Sequence, residues 1–253
     1  MTTTLDTVVA LKRPIQQWTR GWMMGPDANS KATEIGLQSG EQLWVVGRAG
    51  VLGNCDADIA TGGLAYLAPA FVRRHWEALP ASLTPRAVAA AYAECCCAWG
   101  ERELLRFETE KLVRLETLAR RIIDHAPPSL GLVFTGWRAM PKPPGLGGQV
   151  ALTTNVLREM RGAASIIAMH AVGLTPLQSV LASPAPPPRS GPEWAHHLGW
   201  TGPFDDAAAF YDRRQRAEAI NNEILVPYFD ALDPSELAEF ADLLTSIRND
   251  IDM

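Results

Sequence analysis

Three arginines in apolar surroundings are the residues whose type and spacing most suggest chemistry. Arg48 lies within the glycine-rich apolar stretch LWVVGRAGVLG at residues 43–53. Arg158 and Arg161 stand three positions apart in a second apolar run, so they share a helix face. A charge in such surroundings is costly unless it is paired. Each arginine therefore either meets a carboxylate of this chain or lines a cavity for an acidic ligand, which a guanidinium can bind through two parallel hydrogen bonds.

A ligand site follows if the helices that carry these arginines meet. The chain has eight tryptophans and seven methionines, enough to build a concave apolar cavity around the guanidinium groups. His170 ends the same apolar run and is either a ligand contact or a residue that caps the negative end of a helix. The predicted ligand-binding residues are Arg48, Trp44, Tyr66, Arg158, Arg161 and His170.

The other reactive side chains match no known catalytic pattern. Cys95, Cys96 and Cys97 point in three directions on a helix, which favours small buried apolar groups. Glu193 and His197 are four apart, but no HExxH pattern accompanies them, so we expect no metal. Neither a nucleophile elbow nor a dinucleotide fingerprint occurs. We expect no cofactor, and the sequence leaves open whether the protein is an enzyme.

Charge and hydropathy restrict the partners. Hydrophobic residues make up 47% and charged residues 20% of the 253 positions, as in ordinary globular proteins. The net charge of -5 disfavours a general affinity for nucleic acid or an anionic membrane. The sequence has no apolar run of about 18 residues and no secretory signal pattern, so we expect a cytoplasmic protein without a membrane partner.

The periodicity predicts an all-α protein whose central element is the stretch from Gln149 to Ala182. Apolar residues recur there at spacings of three and four, which indicates one long helix. Gly173 suits a helix end, and Thr175 with Pro176 suits the start of a second helix. Two helices joined by such a turn form a helix-turn-helix unit. Gly162, inside the long helix, indicates the close approach of another helix or of a ligand.

Proline and glycine divide the chain. The segment 127–148 is rich in both and predicts a linker or a lid, although Phe134 and Trp137 indicate that part of it packs down. We therefore predict an N-terminal helical domain at 1–145 and a C-terminal degenerate winged-helix or helix-turn-helix domain at 146–253. Residues 184–203 show little strand alternation, so the wing of a winged helix would be shortened or lost. Asp205 and Asp206 predict the start of a long helix.

Two long segments carry a resemblance. GRAGVLG at 47–53 with the chain through Trp76, and NVLREMRGAASIIAMHAVGL at 155–174, resemble the actinobacterial SalK-type helix-turn-helix family. The C-terminal half, with its capping sequence at 232–236, is similar to MarR-type winged-helix regulators, a likeness that implies a homodimer. Arg48, Arg158, Glu159 and Arg161 match the family. Met160, Ala163 and Ser165 stand where the SalK-type family has His, Asp and His, which implies a more apolar pocket here.

Two functions remain from the sequence. In the first, the protein is a small-molecule-binding protein or a tailoring enzyme, with arginines that orient an acidic or polar ligand. In the second, it is a MarR-like transcriptional regulator that binds DNA through residues 175–182. That second helix contains no lysine or arginine and offers only Gln178 and Ser179 to base edges. The expected phosphate contacts are few: Arg189, Arg213, Arg214 and Arg216. The missing cations favour the first function.

Overall fold

Helix α10 (Leu146–Ala171) is the central element of the computed structural model, which describes residues 3–184 and 190–251. The helix has 26 residues, and in its first half the residues on nearly every side of the helix are buried. A helix that is apolar around most of its circumference must lie inside the protein. The predicted long helix is therefore confirmed, and it begins three residues earlier than the sequence pattern indicated.

The described residues form α10 and thirteen further α-helices, and they contain no strand. The protein is therefore all-α, as predicted. Short 3-10 helices occupy Thr19–Gly21, Gly50–Leu52, Pro128–Leu130 and Ala207–Phe210. The α-helices are α1 (Thr4–Ala10), α2 (Lys12–Trp18), α3 (Pro26–Glu34), α4 (Gly40–Ala49), α5 (Ala57–Gly63), α6 (Pro69–Glu77), α7 (Pro85–Leu104), α8 (Thr109–His125), α9 (Leu132–Arg138), α10, α11 (Pro176–Leu181), α12 (Gly191–His197), α13 (Tyr211–Phe229) and α14 (Pro234–Asp250).

Helix α10 packs against α7, α8, α9 and α13, while α4 packs against α7. Close approach of α7 and α10 depends on glycine: a Cβ at Gly100 would lie 2.3 Å from the carbonyl oxygen of Gly147. Gly47 similarly leaves room for the ring of Tyr92, whose Cβ and Cγ would lie 2.6 Å from a Cβ at that position. These contacts fix α4, α7 and α10 relative to one another and so place Arg48 beside α10.

The turn between α10 and α11 has the predicted chemistry. Gly173 has a φ of +69°, and the amide of Leu174 donates to the carbonyl of Met169 at 3.1 Å, which is the hydrogen-bond pattern of a Schellman helix end. Thr175 then caps α11 by accepting from the amide of Gln178 at 3.2 Å, and the side chain of Gln178 accepts from the Thr175 amide at 3.1 Å. The predicted helix-turn-helix geometry is confirmed.

One local expectation is confirmed and one is corrected. The segment 127–148 contains α9, and Phe134 and Trp137 are fully buried in the core, so part of the segment packs down as these two side chains indicated. Asp206 caps a 3-10 helix through the amide of Ala208, and the long helix α13 begins only at Tyr211. The capping signal therefore marks a 3-10 helix that precedes α13 and not the start of α13 itself.

The core runs through the whole described chain. The main cluster of buried apolar side chains includes residues from Val8 to Ile251, and α1 packs against α13 and α14. A second, smaller cluster at the turn between α10 and α11 includes Met169, Leu174 and Phe210. The division at residue 145 therefore stays a prediction from composition. Residues 190–203, where a wing was expected to be shortened or lost, hold α12 and no strand. No helix among the described residues is long and apolar enough to cross a membrane.

Candidate functional site

Arg48 and Glu159 form a two-point ion pair between α4 and α10. The guanidinium donates from Nε to Oε1 at 3.0 Å and from Nη2 to Oε2 at 2.9 Å, and the carboxylate side chain is only 4% exposed. Such a paired geometry is the strongest that arginine makes with a carboxylate. Of the two interpretations of Arg48, the structure shows the internal partner directly.

Arg158 brings a second guanidinium to the same carboxylate. Its Nη1 donates to Oε1 of Glu159 at 2.6 Å. Two positive groups thus share one negative group, and a single positive charge is left over. Within the described residues, no hydrogen bond is made by Nη1 of Arg48 or by Nε and Nη2 of Arg158. These nitrogens remain free to bind another acceptor.

The charges within this triad (Arg48, Arg158 and Glu159) act strongly on one another. Burial alone would raise the pKa of the Glu159 carboxyl, but the two guanidinium groups outweigh it and lower that pKa below its ordinary value. Burial lowers the pKa of Arg158, and repulsion by Arg48 lowers it further. Burial also acts on Arg48, but the attraction of Glu159 exceeds it and raises the Arg48 pKa.

Arg158 reaches solvent from a deep position. Its side chain keeps 24% of its surface exposed, and that of Arg48 keeps 13%, although desolvation is the largest influence on both groups. Both guanidinium groups are thus surrounded by protein and still partly in contact with solvent. The triad therefore combines an excess positive charge with partial exposure to solvent.

The same face of α10 continues from the triad to a pair of hydroxyl groups. Gly162 and Ser165 lie about 40° and about 20° around the helix from Arg158, at 100° per residue. A Cβ at Gly162 would have no neighbour within 4 Å other than Oε2 of Glu159 at 3.9 Å, so open space lies above it. Beyond that space the hydroxyls of Tyr66 and Ser165 are 2.6 Å apart. Burial raises the pKa of Tyr66.

Arg161 belongs to a different network, so the structure does not bring it to Arg48. Its Nη2 donates to Glu218 at 2.7 Å and to Asn222 at 2.6 Å, both on α13. Lys12 and Arg214 bind the same Glu218 at 2.8 and 3.1 Å. Positions three apart on a helix differ by about 60° in direction. That difference is enough to send Arg158 towards α4 and Arg161 towards α13.

Trp44 and His170 also lie apart from the triad. Trp44 is buried one turn before Arg48, and its ring stacks near His197 with centroids 6.3 Å apart. His170 is exposed in the last turn of α10, twelve residues or about 18 Å along the helix from Arg158. Of the six predicted ligand residues, Arg48 and Arg158 meet directly, and Tyr66 lies on the same face through Ser165.

The expected aromatic cavity is not built from the tryptophans of the core. Trp18, Trp22, Trp99 and Trp137 are at most 2% exposed and pack against each other and Tyr92. They stabilise the fold by filling its interior. Recesses of about 480 and 310 Å³ lie elsewhere, one beside Phe71, Arg74, His196 and Trp200 and one beside Leu5, Val9 and Asn222.

The cysteines and histidines show no metal chemistry in the part of the chain that is described. No group of three His, Cys, Asp or Glu side chains there could hold a metal ion. Cys95 and Cys96 are buried, and burial raises the pKa of Cys95 to about 11 and the pKa of Cys96 well above its ordinary value. Protonated, buried thiols behave as small apolar groups. Nδ1 of His196 lies 3.0 Å from the carbonyl oxygen of Trp200.

Sequence reasoning missed Glu159 as the centre of the site and missed the hydroxyl pair. The sequence singles out Glu159 only as a residue that matches the family, whereas Arg48, 111 positions earlier, makes a two-point contact with it. A lone carboxylate among apolar residues on a buried helix was the available signal, because a buried charge requires a partner. Ser165 was noted only for the family residue that it replaces.

The helix-turn-helix unit lacks a basic reading surface. Helix α11 has six residues, and Ser179, Val180 and Leu181 are buried. Arg213, expected as a phosphate contact, donates to the carbonyl of Gly173 at 3.1 Å. Arg214, expected likewise, binds Ser183 and Glu218 instead. Arg189, expected likewise, lies outside the described residues, and Arg216, the fourth expected contact, is exposed on α13. Arg213 and Arg214 hold the turn and α13 together.

Comparison with known proteins places the chain by sequence. Residues 8–252 match the model of a helix-turn-helix family, which is nearly the whole chain. Neither the curated proteins nor the solved structures contain a significant match. The geometry of α10, the glycine turn and α11 agrees with that description. The chain is therefore a member of this helix-turn-helix family.

Proposed function

We propose that the protein binds a small acidic molecule at the triad of Arg48, Glu159 and Arg158. The observation that carries the proposal is the sharing of one carboxylate by two guanidinium groups, while the Arg158 side chain keeps 24% of its surface exposed to solvent. An acid bound there would neutralise the remaining positive charge. The unfilled donors of Arg48 and Arg158 would supply its hydrogen bonds.

The two guanidinium groups of the triad are partly removed from water. A guanidinium removed from water loses hydration energy, and repulsion from a second guanidinium adds to that cost. Glu159 offsets only part of it, as the lowered pKa of Arg158 indicates. A ligand carboxylate or phosphate forms hydrogen bonds to a charged donor at the planar geometry that arginine favours. The triad is thus arranged to gain more from an anion than an exposed arginine would.

DNA binding is the second candidate, and family membership favours it. The charge of the reading unit argues against it, because α11 has no lysine or arginine and the net charge is -5. Specific and non-specific DNA affinity both depend on several phosphate contacts from cations. Two of the arginines near the unit are already bound to protein groups. We therefore place acid binding first.

Acid binding is tested by titrating the protein with benzoate and with 3-phenylpropanoate. Isothermal titration calorimetry and NMR measure the binding. Arg158→Met removes the two free donors of Arg158 and the excess positive charge, and it leaves the two bonds between Arg48 and Glu159. We expect the affinity to fall about tenfold or more, since a charge-assisted bond contributes about 1.5–3 kcal/mol. Arg73→Met, at an exposed arginine that pairs with Asp58, is the matched control and should bind as the unmodified chain does.

Two results would reject the proposal. One is the absence of binding by either acid to the unmodified chain. The other is equal affinity in Arg158→Met and Arg73→Met. A gel shift at low salt with duplex DNA separates the second candidate, and we expect no shift. A shift that weakens steeply as salt is added would instead favour DNA binding.

A further inference from the structure

We infer that the acid bound at the triad is an elongated hydroxy acid, which lies across Gly162 and presents its hydroxyl group to Tyr66 and Ser165. The inference rests on the proposed function, since the triad must hold the carboxylate. It adds the length of the ligand and the chemistry of its far end.

Gly162 lies on α10 between the triad and Ser165. Glycine in a helix interior is unfavourable relative to alanine, so its presence calls for a physical cause. At Gly100 and Gly147 that cause is the close packing of two helix backbones. Gly162 has no such neighbour, because only Oε2 of Glu159 would come within 4 Å of an added Cβ. The missing side chain keeps the surface of α10 open between the triad and Ser165.

The hydroxyl groups of Tyr66 and Ser165 form a hydrogen-bonded pair. Tyr66 and Ser165 are 2.6 Å apart, and in such a pair only one hydroxyl donates to the other. Ser179 also hydrogen-bonds Tyr66, and three hydroxyls joined by two hydrogen bonds keep one hydroxyl hydrogen and some lone pairs for a further group. Both residues are only partly buried, and desolvation is the main influence on the Tyr66 pKa. The pair thus lies at the edge of the protein interior, where a ligand hydroxyl could reach it.

Helix geometry gives the length. Arg158 and Ser165 are seven residues apart, which is about 10 Å along the axis. A carboxylate at Arg158 and a hydroxyl at Ser165 are then separated by about the length of a para-substituted phenylpropanoate. Its six-membered ring would lie over Gly162, where a side chain at that position would collide with it.

The experiment compares 3-(4-hydroxyphenyl)propanoate with 3-phenylpropanoate on the full chain by calorimetry. We expect the hydroxylated acid to bind about tenfold more tightly, because the hydrogen bonds at the far end distinguish the two acids. Combined Tyr66→Phe and Ser165→Ala should remove that preference. Tyr211→Phe, at a half-exposed tyrosine on α13, should keep it.

Gly162 gives an independent measurement. Gly162→Ala should raise the melting temperature, because alanine is the better helix residue, while both acids bind several-fold more weakly. Gly162→Leu should abolish binding. Equal affinities of the two acids, or unchanged affinity in Gly162→Leu, would overturn the inference. If both acids bind equally and Arg158→Met still weakens them, the proposed function stands and only the hydroxy-acid assignment fails.

Discussion

Replacing Glu159 by glutamine tests the electrostatic account of the triad most directly. The substitution keeps the size of the side chain and removes its charge. It replaces one of the two carboxylate oxygens by an NH2 donor, so the three hydrogen bonds at 3.0, 2.9 and 2.6 Å from two guanidinium groups cannot all be kept. Arg48 and Arg158 then repel each other without a shared counter-ion. The fold should lose stability, and the affinity for an anion should rise.

The size of the loss follows from burial. Removing one member of a fully buried ion pair costs about 3–5 kcal/mol, because a charge is left unpaired. Here water reaches Arg48 and Arg158, whose side chains are 13% and 24% exposed, so we expect about 2–4 kcal/mol. For a chain of this size that loss corresponds to a decrease in melting temperature of roughly 5–15 °C.

Urea unfolding followed by tryptophan fluorescence measures the free energy. The matched control is Glu77→Gln, since Glu77 pairs with Arg73 at 3.1 Å but is 60% exposed. Exposed pairs contribute about 0–1 kcal/mol, so the control should change little. A loss in Glu159→Gln no larger than that of the control would refute the argument that the carboxylate holds the triad together.

Anions supply the second half of this test. With Glu159→Gln the triad site carries the two positive charges of Arg48 and Arg158 instead of one net charge. Millimolar benzoate should therefore stabilise the variant more than it stabilises the unmodified chain. A purely structural ion pair would show the loss of stability without this gain in anion affinity. Equal stabilisation of both proteins by benzoate would therefore count against the ligand site and not against the ion pair.

Three further predictions concern pH, packing and the turn. The pKa of Glu159 is lowered in the folded state, so its contribution to stability is present above the ordinary value of 4.5 and is lost as pH falls through the folded pKa. The difference in free energy of unfolding between the unmodified chain and Glu159→Gln should therefore shrink in urea titrations below about pH 4.5. Gly100→Ala should lower the free energy of unfolding by about 1–3 kcal/mol or more, because its Cβ would lie 2.3 Å from the Gly147 carbonyl oxygen, whereas Gly62→Ala, which meets no atom within 4 Å, should be neutral or stabilising. Thr175→Ala should cost about 1 kcal/mol through loss of the α11 cap, with Thr175→Ser nearly neutral, and equal values for the two would contradict the capping role.

Local signals in the sequence determined the helices and the turn. The spacing of apolar residues predicted α10, and Gly173, Thr175 and Pro176 predicted where it ends and where α11 begins. These features depend on the backbone conformation of a few neighbouring residues, which side-chain type restricts directly. The absence of cations from α11 was also visible in the sequence, and it already weakened the DNA-binding interpretation.

Only the tertiary structure decided which charged groups meet. Arg48 reaches Glu159 across 111 positions, and Arg158 and Arg161 turn to different neighbours although they share a helix. Packing also placed α9 within a segment that proline and glycine had marked as a linker, and it buried the tryptophans that were expected to line a cavity. The physical reason is that a helical pattern fixes the direction of a side chain only relative to its own helix. Its partner depends on how the other helices pack around it.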